Sequence, residues 1–90
     1  MFKLGKMLMT AGISAAVKED AEFDSEIAKC LLRHSTCDWG DLCEEDSLLN
    51  DDALISGDRI LSAYKTTKGK VWIITEADRS ATTILFPSEY

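Results

Sequence analysis

A run of acidic residues without any basic residue is the part of this chain best suited to attract a partner or a cation. The segment from Asp38 to Asp58 holds half of the acids and contains neither Lys nor Arg. Carboxylates in such number attract basic partners. The acids of the run are Asp38, Asp41, Glu44, Glu45, Asp46, Asp51, Asp52 and Asp58. Their order does not match a calcium-binding loop with its central glycine, so we expect no calcium site.

Two explanations of this run remain open. The acids of 41–45 come early in a predicted helix, where the positive end of the helix dipole favours them. Asp51 and Asp52 come late in that helix and oppose the dipole, and Asp58 follows it. Carboxylates along a helix can imitate a nucleic-acid backbone and occupy a basic groove. We therefore take Asp51, Asp52 and Asp58 as candidate binding residues, against the alternative of a solvated helix face.

Polar residues on the predicted strands suggest a second kind of site. If Ser62 and Tyr64 share a sheet face, they would line a shallow pocket with Arg79 at its rim. Arg79 would then hold a carboxylate or phosphate in a bidentate fork. Glu76 paired with Tyr64 or His34 is a conceivable acid–base pair, although no spacing demands it. The alternative is a structural turn in which Arg79 pairs with a neighbouring acid such as Glu76.

The cysteines and the one histidine raise the question of a zinc site. Cys30, His34, Cys37 and Cys43 give the spacing Cys-x3-His-x2-Cys-x5-Cys. Three thiolates and an imidazole would suit tetrahedral zinc, but the spacing is not that of a standard knuckle. Cys30 and His34 also fall on the buried stripe of a predicted helix, where a cysteine behaves as a small apolar residue. We therefore expect no metal and no cofactor.

Length and charge narrow the classes of protein. At 90 residues the chain is expected to form a single domain, residues 1–90. Its net charge of −6 argues against direct binding of nucleic acid, which needs clustered basic residues. The apolar stretch 7–17 is too short to span a membrane. Three cysteines cannot all pair within one chain, and free thiols fit a reducing compartment, so we expect a cytoplasmic protein.

Helical signals fill the first part of the chain. Phe2–Leu4 is predicted to be a short edge strand or an arm, and Thr10 to cap a short helix. The apolar spacing of Phe23, Ile27 and Cys30 predicts a longer helix over 21–34. A third helix is predicted from the N-cap Asp41 to about Ile55, ending at Ser56-Gly57-Asp58. We expect a buried stripe of Leu42, Leu49, Ala53 and Leu54 on this third helix.

Strand signals fill the remainder. The segment 59–66 alternates, 70–76 is rich in β-branched and aromatic residues, and 82–86 ends at Pro87. Short turns join the three segments. The sequence therefore predicts an α+β fold in which about three short N-terminal helices pack on one face of a three-stranded antiparallel β-meander.

The strand segments carry a resemblance. The runs 59–64 and 71–87, with Glu89-Tyr90, resemble a family of small bacterial proteins labelled plasmid-related or hypothetical and associated with mobile elements. His34, Asp38-Trp39-Gly40, Asp46, Asn50 and Ala53 fit the same pattern. The resemblance covers about residues 34–90 and implies an origin in a plasmid, phage or integrated element. It implies no reaction.

We therefore expect a non-enzymatic accessory protein of a bacterial mobile element that acts by binding another protein. A sharper hypothesis is an acidic inhibitor of a host protein that binds nucleic acid. The alternative is a small-molecule or catalytic site around Ser62, Tyr64, Glu76 and Arg79. A free edge of the predicted sheet also suggests a homodimer.

Overall fold

The computed structural model describes residues 2–90, which form three α-helices and a four-stranded mixed sheet. This confirms the α+β class that the sequence predicts. The helices and strands in chain order are β1 (Lys6–Met9), α1 (Ala11–Glu19), α2 (Ala21–Ser35), α3 (Glu44–Ser56), β2 (Ile60–Thr66), β3 (Gly69–Thr75) and β4 (Ala81–Leu85). A short 3₁₀ turn, Pro87–Glu89, follows β4.

The sheet has one strand more than the predicted meander. Its strand order is β1-β4-β3-β2, with antiparallel pairs except for β1, which lies parallel to β4. The prediction placed an edge strand or arm at Phe2–Leu4, whereas the strand lies at Lys6–Met9 and is exposed along its whole length. The sequence did not reveal it because these four residues, one Lys and three apolar residues, show no alternation, and their pairing partner lies far along the chain.

The first two helices cover one face of the sheet. Ile13 of α1 and Phe23 and Ile27 of α2 are buried against Tyr64 and Ile73, which lie on the strands. The predicted α2 stripe is therefore confirmed. The side chain of Asp20 caps α2, because it accepts hydrogen bonds from the second and third backbone N–H groups of that helix.

The third helix differs from its prediction at its start and in its buried side. Its N-cap is Cys43 and not Asp41, and the cap forms no side-chain hydrogen bond. Leu49 and Leu54, predicted to be buried, are exposed. Only Asn50 and Ala53 of this helix are buried among residues 2–90. The helix ends at Gly57, whose φ of 81° is the left-handed angle that glycine adopts readily.

Hydrogen bonds attach α3 and the preceding loop to the edge of β2. The Asn50 amide donates to the Leu61 carbonyl (2.7 Å) and accepts from the Leu61 N–H (3.2 Å). Farther along the edge, the backbone of Ala63 bonds to that of Trp39 and Asp41. Helix α3 therefore lies along the edge of β2. Its buried Ala53 packs with Ile60, which lies on the same side of the sheet as Ser62 and Tyr64.

Gly40 makes this close approach possible. Its φ is 74°, and a Cβ at this position would collide with the Ala63 carbonyl oxygen. Beside it Trp39 is buried with Ala53 and Ile60. The loop between α2 and α3 thus covers the edge of β2. Its backbone forms hydrogen bonds with Ala63, and the Trp39 indole packs against Ile60.

The chain end returns to the start of α1. One oxygen of the Glu89 carboxylate accepts from the Thr10 hydroxyl (2.5 Å), and the other accepts from the Gly12 N–H (2.9 Å). The pKa of Glu89 lies below its usual value because these donors and the N-terminus of α1 favour the carboxylate. Thr10 is the N-cap residue, as predicted, but the capping carboxylate comes from the opposite end of the chain.

No helix within residues 2–90 has both the length and the apolar character that a membrane crossing requires.

Replacing Asn50 with Ala should lower the free energy of unfolding by about 1–3 kcal/mol, because the N–H and C=O of Leu61 would lose their partners in a half-buried position. Urea denaturation measures this change. Asp52→Ala is the control, since Asp52 is exposed on the same helix and should change stability by less than about 0.5 kcal/mol. Equal losses in the two variants would show that Asn50 does not hold α3 in place.

Candidate functional site

The outer side of α3 combines apolar and acidic side chains in full contact with solvent. Ile55 is 91% exposed and Leu48 is 56% exposed. The spacings of four, four and three residues place Glu44, Leu48, Asp52 and Ile55 on one side of the helix. A surface helix normally turns its apolar side toward the core. Here two large apolar residues face water with carboxylates beside them. We refer to these four residues as the α3 outer face.

A groove lies next to this face, where α3 meets β2. It encloses about 280 Å³. Its lining residues are Leu42, Asp46, Leu49, Asn50, Arg59 and Leu61. The leucines supply apolar walls, while Asp46 and Arg59 supply one charge of each sign. Leu49, which is 64% exposed, connects the groove to the side of the helix that faces solvent. A volume of this size suits one large side chain of a partner.

Arg59 is the cation of the groove and is only loosely held. Its Nε lies 3.7 Å from the Glu76 carboxylate, and both side chains are about half exposed. Its guanidinium also lies over the Tyr90 ring, 5.7 Å from the ring centroid. Tyr90 in turn meets Trp72 edge-to-face. Glu76, a predicted site residue, therefore borders the groove through Arg59, on the sheet face opposite α1 and α2.

The three predicted acidic binding residues have different surroundings. The Asp51 carboxylate accepts from the Trp39 indole N–H (3.0 Å), so it has a structural role in the α3–β2 junction. Asp58 accepts from the Ser56 hydroxyl (2.9 Å) just beyond the helix. Asp52 is exposed, and its carboxylate forms no hydrogen bond or ion pair within residues 2–90. Of the three, only Asp52 lies on the α3 outer face.

Ser62 takes part in a buried row of hydrogen bonds that crosses the sheet. The Ser62 hydroxyl lies 2.5 Å from Nδ1 of His34, and Nε2 of His34 lies 2.8 Å from the Thr75 hydroxyl. Thr75 contacts Thr82 (2.8 Å), which donates to the Leu4 carbonyl (2.7 Å). His34, Ser62, Thr75 and Thr82 are fully buried. We call this set the polar row.

The last hydrogen bond of the polar row determines which group donates and which accepts in the other bonds. Because Thr82 gives its only proton to the Leu4 carbonyl, it must accept from Thr75, and Thr75 must accept from Nε2–H of His34. Nδ1 is then the acceptor for the Ser62 hydroxyl. This arrangement needs a neutral imidazole. Burial lowers the pKa of His34 from 6.5 to about 4, which keeps the ring neutral near pH 7.

The Ser62–His34 pair resembles a nucleophile and its base, but its surroundings favour a structural role. The rings of Phe2 and Trp39 pack against His34 at centroid distances of 5.2 Å and 5.9 Å. A base with a pKa of about 4 accepts a proton poorly near pH 7. Neither cavity described in this structure is lined by Ser62 or His34. The catalytic alternative of the sequence analysis, a site around Ser62, Tyr64, Glu76 and Arg79, stays a prediction.

Tyr64 is also buried, on the same face as Ser62 and Thr82, as predicted. Its hydroxyl donates to the Asp38 carbonyl (2.7 Å), and the Arg33 guanidinium lies 4.8 Å from its ring centroid. Burial raises the pKa of Tyr64 to about 12. Tyr64 therefore connects the sheet to the loop after α2 and does not present its hydroxyl to solvent.

Arg79 is held by main-chain oxygens and not by a carboxylate. It donates to the carbonyls of Asp58 (2.7 Å) and Glu76 (3.0 Å), and to that of Ala53 near the end of α3 (2.9 Å). The predicted pairing with the Glu76 side chain is absent within residues 2–90, since that carboxylate pairs with Arg59. Ser62, Tyr64, Glu76 and Arg79 consequently do not line one pocket.

The four residues that were considered as zinc ligands lie in unlike surroundings. Cys30 is buried, Cys37 is partly buried and Cys43 is exposed. Both ring nitrogens of His34 are already bonded to hydroxyls. Within residues 2–90 no three of the Cys, His, Asp and Glu side chains form a group able to hold a metal ion.

Sequence reasoning missed the exposed apolar side of α3 and the groove beside it. It assigned Leu49 and Leu54 to the core, and Leu48 and Ile55 received no role. A signal was present, because the apolar residues of α3 occur all around the helix rather than along one stripe.

Arg79→Ala should lower the free energy of unfolding by about 1.5–3 kcal/mol, because several carbonyls lose a charged donor at once. Denaturant unfolding provides the measurement. Arg59→Ala is the matched control and should cost no more than about 1 kcal/mol, since its ion pair is exposed. An unchanged stability of Arg79→Ala would instead favour the predicted ligand-binding role of Arg79.

Stability should fall as the pH is lowered through the range set by His34. The unfolded chain takes up this proton near pH 6.5, whereas the folded protein takes it up only near pH 4. The contribution of His34 to the free energy of unfolding is therefore complete above its unfolded-state pKa of 6.5 and is lost as the pH falls toward its folded-state pKa of about 4. Between about pH 7 and about pH 5 we expect a loss on the order of 2 kcal/mol. Since His34 is the single histidine, an NMR titration checks the cause directly, and a midpoint near 6.5 would contradict it.

Comparison of the chain with protein-family models, with curated proteins and with solved structures gave no match.

Proposed function

We propose that this protein is a non-enzymatic accessory protein that binds another protein through the α3 outer face and the adjoining groove. The observation that carries the proposal is the exposure of Leu48 and Ile55 on a helix that buries only Asn50 and Ala53 among residues 2–90. Large apolar residues grouped on a surface, with polar residues around them, are typical of protein–protein interfaces.

The acids define the chemistry of the partner. Glu44 and Asp52 flank the apolar residues, and no basic residue lies between Asp38 and Asp58. A complementary surface would have an apolar groove with Lys or Arg at its rim. The apolar contacts would supply most of the affinity, and the charges would supply the rate of association and the choice of partner.

The groove beside α3 gives the partner a place for an anchoring side chain. Its apolar walls, Leu49 and Leu61, would contact the body of that side chain. Asp46 would pair with a cationic end, and Arg59 would exchange its loose contact with Glu76 for a partner carboxylate or carbonyl. This combination of an apolar wall and paired charges favours a partner side chain such as Arg or Lys, whose stem is apolar.

A more specific form of the proposal is inhibition of a host protein that binds nucleic acid. The net charge of −6 and the acids of α3 support it, since a basic groove that accepts phosphates also accepts carboxylates. The resemblance to small plasmid-related proteins supports an origin in a mobile element and a place in the cytoplasm. Asp51 contributes little to such mimicry because Trp39 already occupies its carboxylate.

Affinity capture from a host lysate, followed by mass spectrometry, tests the proposal. The variant Leu48→Ser with Ile55→Ser should lose the captured partner, because each apolar contact in an interface centre contributes about 1–3 kcal/mol. Asp52→Lys should retain the partner less well and with a weaker dependence on salt concentration. All three substitutions are at exposed positions, so the folded state should be preserved.

Leu32→Ser is the matched control, since Leu32 is 60% exposed on α2 and outside the proposed surface. Glu22→Lys on the same helix is the charge control. A partner retained by the α3 variants, or lost equally with the controls, would contradict binding through the α3 outer face.

A further inference from the structure

We propose that the cavity between α2 and the edge of β2 is a binding site for a small phosphate-type anion. The cavity encloses about 280 Å³ and lies apart from the groove beside α3. Its lining residues are Glu26, Lys29, Cys30, Arg33 and Lys65. In a chain whose acids outnumber its basic residues, three cations around one cavity form a local reversal of charge. This inference is independent of the proposed function.

Each cation of the cavity has another cation as a neighbour, inside the cavity or beside it. Lys29 and Arg33 are four residues apart on α2, where like charges destabilise a helix. Lys65 lies directly across the β2–β3 ladder from Lys70, another unfavourable arrangement. Neither Lys29 nor Lys65 forms an ion pair within residues 2–90. An anion bound among them would relieve this repulsion.

The edge of β2 contributes a backbone donor. Leu61 and Ala63 turn their N–H groups away from β3, toward Asn50 and Trp39 respectively. By the alternation of an antiparallel ladder, Lys65 turns its N–H to the same side. Among residues 2–90 no backbone group pairs with the Lys65 N–H in this way, so it lies at the open edge of β2 beside the cavity. A backbone N–H next to a guanidinium and ammonium groups is a typical set of donors for phosphate.

The acids near the cavity are already occupied. Glu26 accepts from the Thr67 hydroxyl (2.6 Å) and the Thr67 N–H (3.1 Å). Asp38 holds Arg33 through Nε (2.8 Å) and Nη2 (3.3 Å), which leaves Nη1 outside this ion pair. Cys30, which also lines the cavity, stays a neutral thiol because burial raises its pKa. Within residues 2–90 neither of these carboxylates forms an ion pair with Lys29 or Lys65, although Glu26 lines the same cavity.

NMR titration of the full chain with inorganic phosphate, at constant ionic strength set with chloride, tests the site. The backbone signals of Lys65 and the side-chain Nε signal of Arg33 should shift and saturate. Lys29→Gln and Lys65→Gln should each weaken the affinity roughly ten-fold, because each removes a charged donor. Lys18→Gln is the control, since Lys18 is exposed on α1 and does not line the cavity.

A shift that does not saturate, or one that Lys18→Gln weakens as much as the other variants, would overturn the proposal. All the variants change exposed residues, and their spectra show directly whether the fold is kept. Because Leu48→Ser and Ile55→Ser lie on α3, they should leave phosphate binding unchanged. Failure of the anion site and failure of the α3 partner surface are therefore separable.

Discussion

The polar row from His34 to the Leu4 carbonyl is the interaction on which the arrangement of this fold depends. It joins α2 to β2, β3 and β4 and ends on the N-terminal arm. Buried hydroxyls and an imidazole are costly unless each has a partner, and within residues 2–90 no buried side-chain polar atom lacks one. The row therefore fixes one register between helix and sheet, which apolar packing alone would leave less specific.

The same requirement for hydrogen-bond partners explains which side of α3 faces solvent. Asn50 forms hydrogen bonds with the backbone of Leu61 at the edge of β2, and the Asp51 carboxylate accepts one from the Trp39 indole N–H. These polar contacts set the rotation of the helix. Its apolar residues are not needed for that purpose, so Leu48 and Ile55 remain on the outer face. A helix positioned by polar contacts leaves an apolar surface free for a partner.

The sequence predicted those elements whose signals are local. The spacing of Phe23, Ile27 and Cys30 located α2. Alternation located β2, β-branched and aromatic residues located β3, and the stop at Pro87 located β4. It also predicted that Ser62 and Tyr64 share a face. It did not predict β1, because a four-residue parallel strand depends on a partner far along the chain. It misassigned α3, because the stripe rule assumes apolar burial, whereas Asn50 anchors this helix through hydrogen bonds to the backbone of the following strand.

For the candidate site, too, the sequence showed the residue types but not the contacts between residues far apart in the chain. The run of acids was visible in the sequence, but composition could not show that Asp51 is committed to Trp39 while Asp52 is free within residues 2–90. Nor could it show that Arg79 serves carbonyls from separate segments. Both facts depend on contacts between residues far apart in the chain.

Hydrogen–deuterium exchange of the protein with and without its captured partner tests the central claim most directly. Because α3 buries few residues, its amides should exchange faster than those of α2 in the free protein. The account predicts that the partner slows exchange across Glu44–Ser56 and leaves α1 unchanged. Slowed exchange in another element, with α3 unaffected, would contradict it.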